Sequence, residues 1–132
     1  MNLIVCVDDH LGMAFNRRRQ SRDRVLSQHL ASLAGPGKLW VSPGSLPLFA
    51  DLQVNADPDF LINAKEEDWC FAEFPPLMPY ENKIRQLIVC RWNRSYPADQ
   101  FLDLNLKAYR KVSSQEFPGS SHETITLEVY EK

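Results

Sequence analysis

The sequence predicts a single α/β domain: a mixed, mostly parallel sheet with flanking helices, closed by a C-terminal antiparallel hairpin. Three observations point there. Asn2 to Val7 (NLIVCV) is an apolar run without polar alternation, the pattern of a strand buried on both faces in the middle of an α/β sheet. Strand-like and helix-like segments then take turns, and strands joined through helices pair in parallel. Glu123 to Tyr130 alternates, with Ile125, Leu127 and Val129 on one side and Thr124, Thr126, Glu128 and Tyr130 on the other, and no helix separates it from the extended run Tyr109 to Glu116. A length of 132 residues suits one domain, and a hydrophobic fraction of 44% supplies one core.

The elements follow in order. After the first strand, Asp8 to Gln20 reads as a loop. Ser21 is placed to cap a helix running to about Leu33, with Val25, Leu26, Leu30 and Leu33 on its apolar side, and Gly35-Pro36-Gly37 stops it. Lys38 to Ser42 is a second strand, Pro43 to Phe49 a short helix, and Leu52 to Val54 a weak strand. Asp57 can cap a helix through about Lys65, with Phe60 and Leu61 inward. Trp69 to Phe74 is a strand broken by Pro75 and Pro76, and a short helix follows around Pro79 to Lys83. Arg85 to Trp92 is the clearest strand after the first. In the last hairpin, Phe117-Pro118-Gly119-Ser120 has the proline and glycine of a type II turn.

Composition removes several classes. No apolar run approaches the roughly 20 residues that cross a bilayer, and Asp8 and Asp9 interrupt the first apolar run, unlike a signal peptide. Cys6, Cys70 and Cys90 each sit in an apolar run with no C-x-x-C pair, so they read as reduced core thiols of a cytoplasmic protein. The net charge of −2 draws nothing globally to nucleic acid. Locally, residues 17 to 24 hold Arg17, Arg18, Arg19, Arg22 and Arg24 against one acid, Asp23. Such a patch on an acidic body attracts an anion.

The layout and several residues resemble the dihydrofolate reductase fold. LIVCVDDHLGM (Leu3 to Met13) is similar to that family's first strand and its V-D-x-x-x-G-[IM] loop. RQLIVCRW (Arg85 to Trp92), YPADQF (Tyr96 to Phe101), the strand from Tyr109 and SSHETITLEVYEK (Ser120 to Lys132) are similar in spacing to the reductase tail, with its final S-H-x-x-x-x-x-E-x strand. The resemblance covers most of the chain in order, is specific at the two ends, and leaves the chain short in the middle. It implies that Asp23, at the head of the first helix, falls near the family's substrate-binding acid. It also implies an NADPH site, and here the sequence departs. Asn16-Arg17-Arg18-Arg19 stands where reductases carry a tryptophan, Val41-Ser42-Pro43-Gly44-Ser45 where they carry G-R-x-[ST], and Ala72-Glu73-Phe74-Pro75-Pro76 where a Gly-Gly pair opens a pyrophosphate-binding helix. Glu73 repels a phosphate and the prolines remove two N–H donors. The expectation is a kept fold with no cofactor. The chain also resembles short bacterial proteins labelled ribonuclease Z. A zinc hydrolase of that kind needs a histidine cluster, whereas His10, His29 and His122 are far apart and no H-x-H-x-D-H motif exists.

The candidate site residues follow. Asp23 is either a cleft acid or a helix-capping acid favoured by the dipole. Glu73, at the C-terminal end of a parallel strand, can balance the arginines or act as a general base. Arg17, Arg18, Arg19 and Arg22 are the ligand-binding set, able to hold phosphate or carboxylate bidentately. Asp8, Asp9 and His10 end a strand and start a turn, and no metal site is expected. His122 reads as hydrogen-bonded structure, and only Phe15 adds an aromatic ring near the arginines. The leading reading is a non-reductase of this fold that binds a small anionic or nucleotide-like ligand between the Asp8–Asp23 loop and Glu73. The alternatives are an NADPH-dependent reductase, and a ribonuclease or RNA-processing protein that uses Arg17 to Arg24. Catalysis and oligomeric state stay open at this point.

Overall fold

A computed structural model describes residues 1–132. Its elements are β1 (Asn2–Val7), β2 (Gly12–Phe15), β3 (Arg18–Arg19), α1 (Arg24–Ala34), β4 (Leu39–Val41), β5 (Val54–Ala56), α2 (Phe60–Asn63), β6 (Trp69–Phe71), β7 (Gln86–Arg91), β8 (Gln100–Phe101), β9 (Arg110–Phe117) and β10 (Ile125–Glu131). Seven strands form one sheet in the order β5-β4-β6-β1-β7-β10-β9. The pairs among β5, β4, β6, β1 and β7 are parallel, while β10 runs antiparallel to both β7 and β9. A mostly parallel sheet with an antiparallel C-terminal edge is the arrangement the sequence predicts.

The apolar run of β1 sits at the centre, and its residues divide by parity, as side chains on a strand must. Leu3, Val5 and Val7 join Leu87, Val89, Leu77 and Tyr109 on one face. Ile4 joins Ile88, Val41, Leu26 and Leu30 on the other. Helix α1 covers this second face with Leu26, Leu30 and Ala34. Each fully buried leucine contributes about 1.5–3 kcal/mol of hydrophobic stabilisation. Gly35 ends the helix at φ 95°, and its N–H returns to the Ala31 carbonyl.

Several local expectations are corrected. Helix α1 is capped by Asp23, not Ser21, because the Asp23 carboxylate accepts from Leu26 N at 3.1 Å. Leu33 is 42% exposed and Ala34 takes its place inside. Asp8 to Gln20 is not a plain loop: β2 and β3 form a hairpin closed by Asn16 and Arg17 at φ 51° and 62°. Two left-handed residues in a two-residue turn match the twist of the strands. That hairpin pairs with β8, 86 or more residues away in sequence, as a second three-stranded sheet. The Asp57 helix shrinks to one turn, because Asp57 accepts from Asp59 N and Asn63 Nδ2 instead of capping a long helix. The weak strand lies at Val54–Ala56 rather than Leu52 to Val54, and β6 stops at Phe71. Gly119 does not have the positive φ of a type II turn.

Leu30 and Leu33 therefore separate experimentally. Leu30→Ala is expected to lower unfolding free energy by about 2–5 kcal/mol, and Leu33→Ala by less than about 1 kcal/mol, in urea melts. Equal losses would contradict this placement of α1.

Candidate functional site at the head of helix α1

The C-terminal ends of β1 and β6, the β2–β3 hairpin and the start of α1 converge on one cleft. Cys6, Met13, Arg19, Ser21, Asp23 and Glu73 are among its lining residues, with Leu48, Phe71 and Trp92 as apolar walls. The sheet places strand ends here, where open α/β sheets hold ligands. The enclosed cavity is small, about 20 Å³, room for roughly one water.

Asp23 is 3% exposed and its two oxygens are heavily used. Oδ1 accepts from Leu26 N (3.1 Å), Ser120 N (3.1 Å) and Ser120 Oγ (3.3 Å). Oδ2 accepts from Ser121 N (2.8 Å) and Ser121 Oγ (3.2 Å), and lies 3.1 Å from His122 Nδ1. Six contacts exceed a carboxylate's roughly four lone-pair positions, and the single Ser121 hydroxyl proton is shared with the Arg22 carbonyl at 2.8 Å. Burial pushes its pKa up, but the Ser121, Ser120 and Leu26 N–H groups and His122 outweigh that and hold it well below the usual carboxylate range. Gly119 is required beside it: a Cβ there would overlap Asp23 Oδ2 and meet Ile125 Cδ1 at 2.9 Å.

Beyond Asp23 the polar chain continues. His122 stacks on Trp92 with ring centroids 4.5 Å apart. Its Nε2 lies 3.1 Å from Ser21 Oγ and 3.0 Å from the Tyr96 hydroxyl, which also donates to Ser21 Oγ at 3.3 Å. Sequence reasoning left Ser21, Tyr96 and the Ser120–Ser121 pair out of the site. Their relation is tertiary, across 75 to 101 residues. The one available signal was a serine pair and histidine in the hairpin turn, opposite an acid at a helix start.

Glu73 and Arg19 meet across the cleft. Arg19 Nε donates to Glu73 Oε2 at 2.7 Å and Nη2 to Oε1 at 3.1 Å, a bidentate pair. Ser45 Oγ donates to Glu73 at 2.6 Å, and Arg19 Nη2 also reaches the Gly44 carbonyl. Arg22 contacts only the Pro47 carbonyl, at 3.3 Å. Of the predicted ligand-binding arginines, Arg19 and Arg22 line the cleft, whereas Arg17 and Arg18 are exposed on the hairpin. Asp8 turns inward to its own loop, accepting from Gly12 N (2.7 Å), His10 N (2.8 Å) and Gln20 Nε2 (3.0 Å). No three His, Cys, Asp or Glu side chains come together in a way that could hold a metal.

No protein-family model and no curated protein matches the sequence. The structure is similar to dihydrofolate reductase from Enterococcus faecalis, solved with NADP(H) and RAB-propyl. The TM-score is 0.66 over 98% of this chain and 94% of that one, at 8% identity. The protein has a dihydrofolate reductase-like fold. At that identity the likeness is one of architecture. The resemblance to proteins labelled ribonuclease Z finds no support in it. No helix of this dihydrofolate reductase-like domain is long and apolar enough to cross a membrane.

Asp23 is thus expected to be a major local determinant of stability. Replacing it with Ala removes a cap worth about 1 kcal/mol and strands buried donors at about 1–3 kcal/mol each, so a loss of at least about 2 kcal/mol is expected in chemical denaturation. Because its folded pKa is depressed, this stabilisation is complete above the unfolded carboxyl pKa of about 3.9 and drains away as pH falls below it. Asp23→Asn should flatten the pH dependence of unfolding between about pH 4 and pH 2. A wild-type slope there would show that the titration belongs to other carboxylates.

Proposed function

We propose that this domain is a non-reductase that binds a small anion at Arg19 and Arg22. The observation that carries the reading is the bidentate Arg19–Glu73 pair at the C-terminal end of β6, with Arg22 beside it contacting no carboxylate. Glu73 occupies Arg19 as an exogenous carboxylate or phosphate would. An incoming anion competes with an internal one, and Arg22 adds the charge that favours the exchange.

Three features support a non-reductase. The fully used carboxylate of Asp23 has no free position for a substrate edge. The enclosed volume at the strand ends is far below the roughly 300–1,000 Å³ of ordinary ligand sites. The Enterococcus faecalis reductase was solved with NADP(H), but this chain does not offer a matching phosphate cradle. Past β6, the N–H groups of Leu77 and Met78 donate to the Asp103 carboxylate at 2.9–3.0 Å, so an internal anion holds them. Glu73, Pro75 and Pro76 precede them, without a long helix to present its N-terminus. The residues do not fit a dinucleotide.

Titration with inorganic pyrophosphate at low salt tests the reading. Arg19→Ala is expected to weaken binding at least tenfold. Glu73→Gln, which removes the competing charge but keeps the shape, should tighten it. Binding unaffected by either change, or absent at low salt, would exclude the site. Quenching of NADPH fluorescence at micromolar protein, with oxidation of NADPH by dihydrofolate, would instead make the protein a reductase.

A further inference from the structure

The chain of Asp23, His122 and Ser21 has a geometry that the anion-binding reading does not use. His122 Nδ1 lies 3.1 Å from Asp23 Oδ2, and its Nε2 lies 3.1 Å from Ser21 Oγ. We propose that Ser21, His122 and Asp23 form a nucleophile–base–orienter relay that hydrolyses carboxylic esters with a short acyl group. The proposal is independent of whether the arginines hold an anion.

The donors and acceptors assign the roles. Asp23, ionised and tied to four backbone and hydroxyl donors besides Leu26 N, accepts the remaining proton from Nδ1–H of His122. That fixes the tautomer and leaves Nε2 as an acceptor. The Tyr96 hydroxyl donates to Ser21 Oγ at 3.3 Å, so the Ser21 hydroxyl proton is directed to Nε2. The ring plane is held by the Trp92 stack. This satisfies the two distances that define an activated hydroxyl: nucleophile to base, and base to orienter.

Burial runs in the direction the chemistry needs. The Asp23 and His122 side chains are 0% and 1% exposed, whereas Ser21 is only half-buried and lines the cleft. A pin that served only to fasten the loop would gain nothing from leaving its hydroxyl end open. The cleft that Ser21 lines is narrow and walled by Leu26, Phe71 and Trp92, which favours a short acyl group over a long one.

The step balances without a cofactor. Ser21 Oγ bonds to the ester carbonyl carbon as its proton passes to His122 Nε2. The carbon–oxygen bond to the alcohol then breaks, and the alcohol leaves with that proton, giving an acyl-serine. Water attacks the acyl carbon, gives a proton to Nε2, and the acid leaves as the proton returns to Ser21 Oγ. One ester and one water become one acid and one alcohol.

Two measurements test it. Diisopropyl fluorophosphate should modify Ser21, identified by peptide mass spectrometry, in the folded protein and not in urea. Hydrolysis of p-nitrophenyl acetate should fall at least about a hundredfold in Ser21→Ala, within the range for loss of positioned acid–base catalysis. Ser21→Ala should remain folded, because the Tyr96 hydroxyl already stands 3.0 Å from Nε2 and keeps that atom paired. Modification elsewhere, no modification of the folded protein, or unchanged ester hydrolysis in folded Ser21→Ala would each overturn the relay.

Discussion

The carboxylate of Asp23 joins three stretches that the chain keeps far apart: the start of helix α1, the turn between β9 and β10, and, through His122, the segment around Tyr96. One buried charge fastens the start of the helix to the turn of the C-terminal hairpin. It can stay ionised there because backbone and side-chain donors replace the water it has lost. The surroundings are shaped to it, with no side chain on Gly119 where the carboxylate approaches. Removing a single partner would leave the rest buried and unpaired, so the cluster behaves as a unit rather than as a sum of bonds.

The same device recurs across the molecule. Asp103 occupies the N–H groups of Leu77 and Met78, Glu73 occupies Arg19, and Asp8 occupies the N–H groups of its own loop. In a dihydrofolate reductase-like fold the strand ends form a ligand cleft, and here internal carboxylates satisfy most of the donors that face it. The remaining openings are the part-exposed hydroxyls of Ser21 and Tyr96 and the guanidinium of Arg22.

A second carboxylate cluster shows that such internal pairing also stabilises the sheet away from the cleft. Glu128 on β10 accepts from Arg91 at 2.6 Å, from Lys111 at 3.0 Å and from Tyr130 at 2.9 Å. It links β7, β10 and β9 on the face that α1 does not cover. Burial pushes its pKa up, and those three donors pull it below the ordinary value. Strand β9 is exposed along nearly its whole length, and this tie adds a side-chain contact to its backbone ladder with β10.

The sequence by itself determined the order of the main-sheet strands and the first helix, the central place of β1 and the closing hairpin. Those depend on local periodicity and on an apolar run that only a doubly covered strand can use. It also carried the likeness at both ends and the absence of the cofactor's glycine signals. It placed Asp23, Glu73, Arg19 and Arg22 in one region, because strand ends and helix starts can be read from short stretches, but it also put Arg17 and Arg18 there, which lie exposed on the hairpin. What only the tertiary structure decided was which of them face one another. Arg19 meets Glu73 across 54 residues and Asp23 meets His122 across 99, and no local pattern encodes such pairings. The β2–β3–β8 sheet was invisible for the same reason. The helix cap fell to Asp23 rather than Ser21 because the helix begins at Arg24, which puts Asp23 at the cap position and leaves Ser21 two residues outside it, its hydroxyl against a histidine near the other end of the chain.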